Sequence, residues 1–303
     1  NWPTTMPFDP WTNYPYGTFV GQFGTLYDQF VATAAVVAGL GSPSSELVAK
    51  VLLVAPAVAG ALAVVPVYVI GKRLSGRIAG LFGAVVLLLL PGSFLSRTLA
   101  GVADHNAIEP LVMALAVASF AIALQKASTT LPVWEVVREE AFEARRLSTI
   151  EDPLKWSVVA GFLIGIYLWV WPPAVFFVGI IGLFVVLKIA ADVVNEQTPE
   201  PTAFVVVVSM LIVAVMSLLT LDELGFNTTT LSLLQPIAAL SVAGATALFS
   251  WLARAWERTE LDSSLYPAAV AGLGVVGIVV LVVLPVGLLD LITSNLLRSS
   301  ASR

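Results

Sequence analysis

Three observations predict an all-α protein that crosses a membrane many times. With 58% hydrophobic residues, 12% charged residues and a mean hydropathy of +0.93, the chain has too little polar surface to clothe a water-soluble domain of ordinary size. About eight apolar stretches approach the roughly 20 residues that a helix needs to span a hydrocarbon core of about 30 Å. The lysines and arginines, finally, fall in alternate connections between those stretches, the partition expected when cations stay on the cytoplasmic side.

Residues 1–23 open the chain with Pro3, Pro7, Pro10 and Pro15 interleaved with Trp2, Phe8, Trp11, Tyr14 and Tyr16. Asp9-Pro10 and Tyr16-Gly17 are turn signals, and so dense an aromatic segment suits the headgroup layer. Residues 26–40 are apolar and rich in small side chains, ending at Gly39-Leu40-Gly41-Ser42-Pro43. About 15 residues are too few to span, so this segment is expected to be a helix lying against the outer leaflet. The expected spans are 47–71, 78–95, 108–124, 156–171, 174–190, 203–221, 231–253 and 266–289. The fourth and fifth are separated only by Pro172-Pro173. Taken as one helix they would run about 50 Å at 1.5 Å per residue, more than a bilayer needs, so two spans joined by a tight turn are predicted. Small-residue stretches such as 57–63 allow close helix packing.

That topology places Lys72, Arg73, Arg77, Lys126, Arg138, Arg145, Arg146, Lys155, Lys188, Arg254 and Arg258 on one face, eleven of the fifteen cations; Lys50, Arg97, Arg298 and Arg303 lie on the other. Merging the fourth and fifth spans would move Arg254 and Arg258 across, a second argument for the break. The net charge of −5 and pI near 4.9 exclude polybasic attraction to nucleic acid. Acidic residues gather in loops, as at Glu135, Glu139, Glu140, Glu143, Glu151 and Asp152, which fits either a salt-adapted source or a solvated amphipathic loop helix. The absence of cysteine excludes disulfides and thiolate metal sites. With neither an initiator Met nor a signal peptide, the chain reads as a fragment.

The one polar stretch between long apolar runs is Ser96-Arg97-Thr98-Leu99-Ala100-Gly101-Val102-Ala103-Asp104-His105-Asn106, which holds the only histidine and is followed by Glu109. On the proposed topology it faces outward. Asp104, His105 and Asn106, with Glu109 one turn on, offer oxygen and imidazole donors for a divalent cation, Mg²⁺ or Mn²⁺, while Arg97 can pair with a carboxylate or a phosphate. The same residues also read as a helix start, with Asn106 and Glu109 in a capping-box arrangement and Pro110 in the first turn; capping and ligation are compatible. No Asp, Glu or His is expected deep in a span, which argues against a proton-coupled or ion-driven transporter. Trp169 and Trp171 read as interfacial anchors or as a lipid-binding wall. Asn227-Thr228-Thr229, in another outward loop, is either a glycosylation acceptor or a chance triplet.

The string Phe8-Asp9-Pro10-Trp11-Thr12-Asn13-Tyr14-Pro15-Tyr16-Gly17, followed by Gly24-Thr25-Leu26-Tyr27-Asp28, resembles the first external loop of the archaeal oligosaccharyltransferase catalytic subunit, a family of the C-type glycosyltransferase superfamily. Ser96 to Gly101 ahead of Asp104-His105-Asn106 and Glu109 is similar to that family's second acidic motif. The resemblance implies that 1–43 is part of the first external loop with its interfacial helix, that 44–303 holds membrane helices two to nine, and that the C-terminal soluble domain is absent. It further implies transfer of a glycan from a dolichyl-phosphate-linked oligosaccharide to Asn in Asn-x-Ser/Thr of an acceptor protein, at the extracytoplasmic face of the cell membrane and in contact with membrane lipid. By that resemblance Asp104 ligates a divalent metal, Mn²⁺ or Mg²⁺, position 106 supplies a second ligand with His105 as a contributor, and Arg97 serves the phosphate. Relatives usually carry Asp, Glu or His where this chain has Asn106, a neutral and weaker ligand. A first catalytic Asp would precede Asn1, a Thr-Ile-x-Glu motif would follow Arg303, and no Trp-Trp-Asp acceptor motif occurs, so residues 1–303 alone are expected to be inactive. The alternatives are another lipid-phosphate-dependent glycosyltransferase, such as a protein mannosyltransferase, and a multi-pass transporter or flippase.

Overall fold

The structure is a computed structural model that describes residues 8–11, 14–20, 26–89, 91–102, 104–128, 144–221, 224–259 and 261–283. The acidic connection over 135–143 and the tail after 289 lie outside the described residues. A two-residue antiparallel ladder comes first, β1 (Phe8–Asp9) pairing with β2 (Thr18–Phe19) in the register Phe8 to Phe19 and Asp9 to Thr18. Everything after it is helical: α1 (Leu26–Ala38), α2 (Ser45–Leu89), α3 (Ser93–Arg97), α4 (Glu109–Ala127), α5 (Ala144–Val170), α6 (Val175–Val194), α7 (Glu200–Leu219), α8 (Leu234–Glu257) and α9 (Tyr266–Val283).

Among the described residues six helical segments are long and apolar enough to cross a membrane; seven of the eight predicted runs fall on them, the second stopping at Leu89 against the expected 78–95. The first two runs share α2, whose 45 residues are not one rod. Ser75 and Gly76 leave the helical region, and Gly76 takes φ 89°, a left-handed value that glycine adopts without steric cost. The chain therefore reverses there and the arm 77–89 returns along the arm 45–74. Gly71 and Gly80 make that approach close: a Cβ on Gly80 would stand 2.7 Å from the Tyr68 carbonyl oxygen, and one on Gly71 would stand 2.9 Å from that of Ala79. Pro172–Ala174 forms a single 3₁₀ turn between α5 and α6, as the two prolines predict. The eighth run begins at Tyr266 as α9.

Helices α4 to α9 share one core, in which Ile164, Leu168, Val178, Val185, Met210, Val213, Ala239 and Tyr266 are buried. The α2 hairpin packs on α4, and α1 lies on α2. Large apolar side chains line the outside, with Val65 59%, Phe82 70%, Phe176 62% and Trp251 65% exposed. So much contiguous apolar surface suits a hydrocarbon solvent, where all helical backbone groups are satisfied internally. The protein is a membrane protein.

Strict alternation of helix direction sends the α3–α4 connection, the Pro172-Pro173 turn and the α7–α8 loop to one end of the bundle. At the opposite end Arg73 bonds Gln125, Lys126 pairs with Asp152 at 2.7 Å, Lys188 pairs with Asp192, and Arg254 pairs with Glu200. The two carboxylates buried among the described residues, Asp192 and Glu200, thus sit in terminal helical turns and carry partners. Trp171, at the end of α5, is half-buried: one side packs on the core beside Tyr167 one helical turn earlier, ring centroids 6.1 Å apart.

Candidate active site

The polar stretch between α3 and α4 is held in place by α2. Gly101, at φ 97°, donates its N–H to the Leu53 carbonyl of α2 at 2.8 Å. Thr98 is pressed against Gly60 so closely that a Cβ there would meet the Thr98 Cβ at 2.6 Å. These two contacts fix the segment before the chain bends through the Asp104 N–H to Val102 carbonyl bond, 2.9 Å, into the 3₁₀ turn His105–Ala107 and then α4.

Asp104 caps that turn. Its Oδ1 accepts from the Asn106 main-chain N–H at 3.2 Å, and its Oδ2 accepts from Asn106 Nδ2. The sequence reading that starts a capping box at Asn106 is therefore corrected by two residues: the extra 3₁₀ turn moves the cap to Asp104, whose short charged carboxylate is the stronger acceptor for the first free N–H groups. Glu109 opens α4 instead of reaching back to position 106. His105 lies between the two carboxylates, Nδ1 3.0 Å from Asp104 Oδ1 and Nε2 3.6 Å from Glu109 Oε1. Glu109 is the most enclosed of the three, and its Oε1 is buried without a hydrogen bond. Arg97 ends α3, exposed; it makes no ion pair or hydrogen bond with a described residue, so its guanidinium is open to an anion, and its charge acts on Asp104.

The electrostatics single out Asp104. Burial raises its carboxyl, but the Asn106 side-chain and main-chain donors, with the charges of His105 and Arg97, outweigh that and hold it below the usual carboxylate range. It is ionised across physiological pH and ready to meet a cation. Two residues that carried no role in the sequence reading join it from α1. Tyr27 is 4% exposed, with its hydroxyl unbonded, and its phenol is raised by burial and by the charges of Asp28 and Asp104. Asp28 has its carboxyl raised by burial, which His105 partly offsets. The signals in the sequence were that both close the string resembling the family's first external loop and that Asp28 is the sole charge in the apolar stretch 26–40.

Asp28 sets a pH test. A carboxyl raised in the folded state penalises folding as pH climbs from the ordinary value of about 3.9 through the raised one. Asp28→Asn removes that penalty, so the variant's Tm should exceed wild type at pH 7 and match it below pH ~3.5. Tryptophan-fluorescence melts of the detergent-solubilised protein at both pH values measure this; equal Tm at pH 7 rules out the coupling.

Among the described residues no three His, Cys, Asp or Glu side chains converge as a ready metal cage. The donor chemistry of Asp104, Asn106 and His105 suits a hard or borderline divalent ion, but the set is short. Moreover, Asn106 must turn its carboxamide over to offer oxygen, since its NH₂ group now donates to Asp104.

Residues 2–299 match the family described as oligosaccharyl transferase STT3, N-terminal. The chain belongs to that family. It is 53% identical over 299 residues to the dolichyl-monophosphooligosaccharide–protein glycotransferase AglB of Haloferax volcanii, an alignment covering 99% of this chain and 28% of that protein. Two crystal structures of the Archaeoglobus fulgidus oligosaccharyltransferase share its architecture at 26% identity. One, tethered to an acceptor peptide containing the NVT sequon, superposes with a TM-score of 0.77 over 95% of this chain and 33% of that one. The other, a complex with Zn and sulfate, gives 0.74 over 94% and 34%. The chain thus spans about a third or less of the length of these STT3 relatives.

Proposed function

We propose that this chain is the helical membrane portion of an oligosaccharyltransferase that moves a glycan from a dolichyl-phosphate-linked donor to the side-chain nitrogen of Asn in Asn-x-Ser/Thr. The observation that carries the reading is the ionised Asp104, braced by Asn106 and His105 beside an open Arg97, at one end of a bundle 53% identical to the Haloferax AglB. A phosphate approaching that end meets Arg97 as a planar donor. Asp104, Asn106 and His105 would hold Mn²⁺ or Mg²⁺, with further carboxylates drawn from the remaining length of the relatives; the domain division at residue 43 belongs to the same proposal. When bound, such an ion supplies positive charge that offsets the departing phosphate. Glu109 steadies His105, and Asp104 keeps its negative charge in place through the Asn106 donors. The A. fulgidus enzyme has been crystallised as a complex with Zn and sulfate, which is in keeping with a divalent cation and an oxyanion as ligands here.

The site end is assigned to the extracytoplasmic side, because Lys72, Arg73, Lys126, Lys155, Lys188 and Arg254 gather at the other end. The transporter reading is not favoured: among the described residues the buried charges Asp192 and Glu200 are paired at helix ends, leaving no polar file across the bundle.

The test uses the full-length protein in proteoliposomes with a dolichyl-phosphate-linked oligosaccharide and a fluorescent sequon peptide. Transfer should appear, vanish with EDTA and return with Mn²⁺ or Mg²⁺, and a Gln-x-Thr peptide should remain unmodified. Metal-independent transfer would remove Asp104 from its role, and glycosylation of a peptide bearing only Ser or Thr would favour a mannosyltransferase-type enzyme.

A further inference from the structure

We propose that Asn227 is itself a glycan acceptor, so that the protein carries on its α7–α8 loop the modification its active site produces; the inference rests on the transfer activity proposed above. Three independent observations lead to it. Asn227-Thr228-Thr229 is an Asn-x-Thr sequon without proline at the middle position. Helix alternation puts its loop at the same end of the bundle as Asp104, the side on which transfer takes place. The loop's own geometry leaves the acceptor atom available: Asn227 Oδ1 accepts from the Thr229 N–H at 2.9 Å and from the Thr229 hydroxyl at 3.0 Å, whereas Nδ2 donates to no described residue.

The remainder of the loop is anchored without using that nitrogen. Ser232 Oγ accepts from the Asn227 N–H at 3.0 Å and donates to the Asn227 carbonyl at 2.8 Å, and Gln235 Nε2 donates to the Thr230 carbonyl at 2.8 Å. The polar network is closed through main chain, hydroxyls and the Gln235 carboxamide, so a substituent on Asn227 Nδ2 breaks no bond within it. Thr229 is exposed and Asn227 partly so. In the transfer the Nδ2–C1 bond forms as the C1–O bond to the polyprenyl phosphate breaks. The phosphate oxygen leaves with the bonding pair, and one Nδ2 proton passes to solvent base.

A structural role for the triplet needs only an acceptor oxygen at position 227 and a donor at 229, which separates the two readings. The full-length protein is purified from its native membranes and the peptide containing Asn227 is examined by mass spectrometry, beside a transfer assay on an added sequon peptide. A glycan is expected on Asn227 of wild type and of Thr229→Ser, with complete loss in Thr229→Val and in Asn227→Asp. The last variant keeps both bonds from Thr229 and lacks only the nitrogen, so its Tm should stay at the wild-type value. A bare Asn227 in a preparation that glycosylates the added peptide overturns this inference alone, and so does a glycan that survives Thr229→Val. A preparation that modifies neither peptide refutes the transfer activity, and the inference with it.

Discussion

Asp104→Ala in the full-length protein is expected to lower glycan transfer by about a hundredfold to a thousandfold, the scale on which enzymes lose rate when a preorganised charge at the reacting centre is deleted. The carboxylate stands at the entry to α4 with both oxygens engaged by Asn106 and one also beside His105. Alanine removes the anion and the cap together, and the cap accounts for about 1 kcal/mol, too little to unfold a bundle whose core lies in α4 to α9. Asp104→Asn separates the effects: it retains an acceptor for the Asn106 N–H but discards the charge. Both variants should insert and melt nearly as wild type, both should lose transfer on that scale, and raising Mn²⁺ should not restore them. Wild-type turnover in Asp104→Asn would show that position 104 serves only the helix start.

Gly161→Leu is expected to have the largest effect on stability, about 3 kcal/mol or more. At Gly161 α5 and α7 cross almost backbone to backbone: a Cβ would stand 2.5 Å from the Ser209 carbonyl oxygen, 2.9 Å from Ile212 Cβ and 3.0 Å from Ser209 Cα. Main chain cannot yield as a flexible side chain can, so the helices must separate. Separation also breaks the buried bond from Ser209 Oγ to the Ser157 carbonyl at 2.9 Å, about 1 kcal/mol more. Close approach through small residues is how helices associate in lipid, where burial of apolar area adds nothing. Gly179→Ala is the control, since nothing lies within 4 Å of a Cβ there. The eight tryptophans provide the signal: Gly161→Leu should melt several degrees below wild type in detergent while Gly179→Ala should not. Equal Tm values for the two would contradict the packing described.

Apolar length and proline position were strong enough to be read directly from residues. Among the described residues the predicted spans fall on helices, except that the second ends at Leu89 and the eighth is described only to residue 283; Pro172-Pro173 marks the break between α5 and α6, and Asp104, His105, Asn106 and Glu109 do gather at one end. Local pattern, however, says nothing about which distant segment packs beside a loop. Tyr27 and Asp28 join the cluster through the seating of α1 on α2, a contact between surfaces with no periodic signature. The cap fell two residues earlier than the spacing of Asn106 and Glu109 suggests, because a 3₁₀ turn and a full helical turn share the same preference for Asp or Asn at their start.

The reversal at Ser75 and Gly76 bears on biogenesis. With only two non-helical residues between its arms, α2 pairs segments that are neighbours along the chain as well as in space, so little loop entropy opposes their association once both are made.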